Sequence, residues 1–154
     1  MNPETYALWA SIHGHLAVLG LAVLAHPLIT LRRRPGLARW TLRTTWIAAA
    51  MVALPFGLGW WLYPTYRGHV KPGLRAIDHP ALWRFESKEH LAAACLALVV
   101  GGAVVLTTAG RTAAGRRAAW WLLACGWLAG VTTAGLGVYV ASVAQPGWDQ
   151  REAQ

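Results

Sequence analysis

Two short stretches carry the residue types from which chemistry is built. Arg84-Phe85-Glu86-Ser87-Lys88-Glu89-His90 packs five ionisable side chains against an apolar run over 91–108, and far upstream His13 and His15 enter another apolar run in the same way. Charge at the edge of a membrane helix is costly, so such clusters mark functional sites by default. On a helix Glu86 and His90 share a face and Glu86 and Glu89 nearly do, which gives a compact group with Lys88 turned elsewhere. His13 and His15 are two residues apart, about 200° around a helix, so only one of them faces a given partner. Imidazoles from two helices suit a haem iron. Imidazole with carboxylate suits non-haem iron, copper or zinc.

The elements that must position these groups follow from composition. The 154 residues are 56% hydrophobic and only 13% charged, with ten Trp, too apolar a balance for a soluble domain of this length. The expected fold is all-α, a single four-helix transmembrane bundle over 1–154 with spans at about 8–31, 44–63, 88–108 and 118–143 and a loop over 64–87. Met1 to Thr5 has no basic segment, so the first span is expected to remain in the mature chain. Asp78-His79-Pro80 resembles a helix start, which begins the third helix near Pro80, ahead of the membrane. The net charge of +8 lies between apolar runs rather than on an amphipathic face, so topology rather than nucleic acid explains it. Arg32, Arg33, Arg34, Arg39 and Arg43 in the first connection and Arg111, Arg116 and Arg117 in the third place those two loops in the cytoplasm. The expectation is a multi-pass protein of a bacterial inner membrane with both termini and the 64–87 connection periplasmic.

Depth then relates the two clusters. His13 and His15 lie four and six residues beyond Trp9 and His90 lies seven beyond Trp83, so both sets sit roughly 6 to 10 Å below their aromatic belts. His15 and His90 match best in depth. The leading expectation is a b-type haem ligated by His15 and His90, with His13 the substitute, in a slot lined by small residues: Gly14, Ala17 and Gly20, Ala92 to Ala94, and Gly130, Gly135 and Gly137. The haem propionates would then meet Arg67, Lys71, Arg75 and Arg84 on the outer side. One-electron transfer follows from that cofactor, between membrane quinol and a periplasmic redox protein, alone or with other membrane subunits. The competing readings are a non-haem metal held by His13 or His15 with Glu86, Glu89 and His90, and a set of interfacial hydrogen bonds in a non-catalytic accessory subunit.

Other polar groups read as structural. His26 beside Pro27 has no histidine partner at its depth, His69 and His79 fall in a loop, and Thr132 and Thr133 can bond back along their helix. Tyr63 and Tyr66 belong to the aromatic belt, with either phenol able to reach a cofactor edge. Cys95 and Cys125 sit at different depths, which argues against a disulfide.

A His near the outer end of span one, a Gly-containing span two ending in Gly59-Trp60-Trp61-Leu62, and a third span that opens with Trp83 and Lys88 ahead of an Ala/Leu run together resemble small bacterial four-span haem proteins. The membrane protoporphyrinogen oxidase and copper-resistance D-like families share that layout, over roughly residues 6–108. In the oxidase family a first-span His and a third-span Lys are the hallmark pair, and His13 or His15 and Lys88 stand at the matching positions. Glu89-His90 departs from that pattern, so the resemblance implies haem rather than a particular reaction.

Overall fold

In the computed structural model, which describes residues 1–33, 39–72, 75 and 79–152, the chain is helical almost throughout and the described residues contain no strand. Four long helices follow one another: α1 (Pro3–Arg33), α2 (Arg39–Thr65), α3 (His79–Ala109) and α4 (Ala113–Glu152). A π-helical turn, Tyr66–Val70, continues directly from α2. Each long helix contains a stretch long and apolar enough to cross a membrane. Large apolar side chains such as Val18, Leu19, Ile47, Leu54, Trp60 and Val138 stay exposed around the outside. A helix that is apolar all round suits a lipid exterior.

The helices form a square in which α1 packs on α2 and α4, and α3 packs on α4 and α2, so α1 and α3 occupy opposite corners and, among the described residues, make no backbone contact. The main core lies along the middle of the bundle around Leu24, Ala48, Ala49, Cys95, Val99, Ala103 and Leu123. Small residues set the spacing. Pro55 has no N–H to donate to the Met51 carbonyl one turn earlier, and Gly20 packs against that oxygen so closely that a Cβ there would stand 2.7 Å from it. A Cβ on Gly102 or Gly126 would likewise lie 2.8 Å from Leu123 or Val99, which is why α3 and α4 approach so tightly. Tryptophan N–H groups add cross-links, Trp120 to the Leu28 carbonyl and Trp127 to the Leu21 carbonyl, both at 3.1 Å. Cys95 is buried and Cys125 exposed, and both thiols are free.

Two expectations about the elements change. The first part of the anticipated 64–87 loop is helix, since α2 and its π-helical turn run to Val70, while α3 starts at His79 as the Asp78-His79-Pro80 stretch predicts. The small residues do not form one interior slot either. Gly14, Gly135, Ala93 and Ala94 are exposed, whereas Gly20 and Gly130 are filled against by Met51, Leu21 and Cys95.

Candidate functional site

The end of the bundle where α1 and α3 begin and α2 and α4 finish, labelled the outer end after the expected topology, holds a second core of different character. Tyr66, Val70, Phe85 and Val140 are buried there, with Tyr6, Tyr63, Tyr139 and Val143 packed against them. Tyr66 stacks on Phe85 with ring centroids 3.8 Å apart and planes 12° from parallel, and the Tyr63 ring lies 6.5 Å away. Tyr66 follows the buried Leu62 by four residues, so the inward face of α2 carries it into the core where the π-helical turn begins. The charged residues of α3 decorate this aromatic cluster. Lys71 donates to Glu86 at 3.0 Å, Arg84 lies over the Tyr139 ring at 4.2 Å, and the Lys88 ammonium lies 4.8 Å from the centre of Phe85.

The three histidines at this level behave differently. His13 is half-buried and its Nδ1 meets the Pro55 carbonyl of α2 at 2.8 Å, with the ring seated over Gly59, where a Cβ would come within 3.0 Å of Cε1. Nδ1 faces a carbonyl and must carry the proton, so Nε2 keeps its lone pair. His15 and His90 are both exposed, and each turns Nδ1 back to a carbonyl of its own helix, Ser11 at 2.7 Å and Glu86 at 2.8 Å. The structure does not bring His15 and His90 together, since they lie exposed on corner helices whose backbones make no contact. Instead it half-buries His13 of α1 over Gly59 of α2 and Lys88 of α3 beside Gly137 of α4.

Lys88 was legible in principle. The buried face of α3 reads Leu82, Phe85, Cys95, Val99, Ala103 and Leu106, a three-and-four spacing that passes through residue 88. The amine follows that face inward and packs beside Gly137 of α4. On α1 the corresponding stripe runs through Gly20, Leu24 and Pro27 and includes position 13 rather than 15. The remaining candidates are peripheral. Arg67 and Arg75 are exposed, Glu89 is half-buried beside Lys88, His26 and His69 are exposed, and His79 lies at the start of α3. Among the described residues no group of three or more His, Cys, Asp or Glu side chains gathers as a metal site, so the mixed set of His13 or His15 with Glu86, Glu89 and His90 is not assembled.

Chemically, the outer end offers an oriented imidazole nitrogen and an amine from opposite corners, aromatic walls, and cations at the mouth. No family model, curated protein or solved structure matches the chain.

Proposed function

We propose that the chain is a redox protein of the b-type cytochrome kind, embedded in a bacterial inner membrane with both termini periplasmic, and that it holds haem b at the outer end of the bundle. The observation that carries this reading is His13. It is the inward-turned histidine of the three at that depth, its Nδ1 proton is fixed on the Pro55 carbonyl of a neighbouring helix, and its Nε2 is left with a lone pair. Metal-binding histidines are commonly oriented in this way, the second nitrogen fixing tautomer and ring plane. The nitrogen donors suit a haem iron, which His13 and Lys88 would hold, the pair to which the family resemblance also points.

Haem, when bound, supplies one-electron exchange. The chain's own part is to orient and to insulate. Pro55 and Gly59 hold the imidazole plane, the Tyr66 and Phe85 stack excludes water from above, and Arg67 and Arg84 at the outer mouth place positive charge where carboxylates would emerge. Electron exchange with a membrane quinol and a periplasmic partner is the role that this position suits.

The test is spectroscopic. Protein purified from cells supplied with haem should show a Soret band and a pyridine haemochrome of b-type, and His13→Ala should lose them while His15→Ala and His90→Ala retain them. No haem in the wild-type protein removes the cytochrome reading. Haem retained by His13→Ala but lost from His15→Ala or His90→Ala moves the ligand to the exposed histidines.

A further inference from the structure

Tyr66 carries a polar group that the fold buries and leaves undonated. The residue is 4% exposed, and its hydroxyl oxygen is buried with no hydrogen-bond partner among the described residues. A buried O–H with nothing to donate to suffers the full loss of hydration, so native structures supply it with a protein acceptor, an ordered water or a ligand oxygen. The ring is not free to seek one. It is stacked on Phe85 and sits on a π-helical turn, a form of helix that concentrates at functional sites. Only the hydroxyl edge remains uncommitted.

The surroundings narrow what could meet it. A donor without an acceptor calls for an acceptor oxygen. Glu86 and Glu89 follow, by one and four residues, the Phe85 that stacks on Tyr66, and carboxylates so placed disfavour an anionic ligand such as a fatty-acid carboxylate or a phosphate. Two of the nearby cations are engaged, Lys71 with Glu86 and Arg84 with the Tyr139 ring. A neutral carbonyl is what remains. The walls are aromatic, with Tyr6, Tyr63, Phe85 and Tyr139 around the hydroxyl-bearing ring, and such walls favour a flat conjugated head over a flexible ester. The position also lies where the helices leave their apolar stretch, so a ring held there can leave its hydrocarbon tail among the exposed apolar side chains. We infer that the Tyr66 hydroxyl is the hydrogen-bond donor to a carbonyl of a lipid-soluble quinone, whose head group lodges in the outer aromatic cluster. This is a binding site, with no electron transferred in it, and it stands whether or not haem is bound.

The full chain, reconstituted in phosphatidylcholine nanodiscs, is titrated with decylubiquinone, and the quinone retained is measured against empty nanodiscs. Wild-type protein should retain quinone saturably and gain thermal stability with it. Tyr66→Phe should bind about tenfold more weakly, the effect of one lost hydrogen bond, and should keep the wild-type unfolding temperature in the absence of quinone. Tyr63→Phe, which leaves the Tyr66 hydroxyl in place, should bind as wild type does. Equal binding by wild type and Tyr66→Phe overturns the inference, as does retention no greater than by empty nanodiscs, which would mean that water alone satisfies the phenol. Palmitate competing with quinone in a Tyr66-dependent way would also overturn it, in favour of an anion site.

Discussion

Replacing Gly20 by alanine tests how α1 is held on α2. A Cβ at this position would stand 2.7 Å from the Met51 carbonyl oxygen and 3.2 Å from its carbon, and both are backbone atoms that no rotamer change can move. A comfortable carbon to oxygen approach is about 3.3 Å, so the two helices must part by roughly half an ångström. Overpacking of that kind costs about 1–3 kcal/mol. The substitution also removes a glycine from a helix, which by itself is worth about 0.5–1 kcal/mol in the other direction. Gly14→Ala isolates that second effect, because a Cβ on Gly14 meets nothing within 4 Å. The expected result is that Gly20→Ala is less stable than Gly14→Ala by about 1–3 kcal/mol. The assay is SDS-driven unfolding in mixed micelles, followed by helical circular dichroism and tryptophan fluorescence. Equal stability of the two variants would refute the claim that the Gly20 and Met51 contact sets the spacing of α1 and α2, and with it the account of how His13 is carried to Pro55.

Two further outcomes follow from the outer end. Gly59→Ala would put a Cβ 3.0 Å from Cε1 of His13, so the ring must shift by a few tenths of an ångström. Haem retention should fall several-fold, while Gly57→Ala, which adds a methyl in open space, should leave it unchanged, as read from the Soret absorbance per protein. The Lys71 and Glu86 side chains are 29% and 37% exposed, so a double-mutant cycle with Lys71→Met and Glu86→Gln should return a coupling of about 0.2–1 kcal/mol by the same unfolding assay. A much larger coupling would show that the pair is more shielded than its exposure indicates.

Much of the site's level in the bundle was readable before any fold was known. His13 and the cluster over 84–90 each follow a tryptophan by a few residues, and a helix rises by a constant amount per residue, so sequence distance converts directly into level along the bundle. The same counting brought the ends of α1 and α3 to one side. Facing was harder. These helices are apolar on every side, and a helix without an amphipathic face gives relative angles between its residues but no absolute rotation. His15 and His90 matched in depth, yet both turn outward.

The sequence alone determined the all-helical class, the four long apolar helices, and the single level shared by the polar clusters, because each depends only on composition and helical rise. The tertiary structure decided which histidine turns inward, that Lys88 rather than His90 follows the buried stripe of α3, and that Tyr66 is buried against Phe85. The physical reason is that helix rotation is set by contacts between distant residues, Gly20 on the Met51 carbonyl and His13 on the Pro55 carbonyl among them. No periodicity within one helix encodes those contacts.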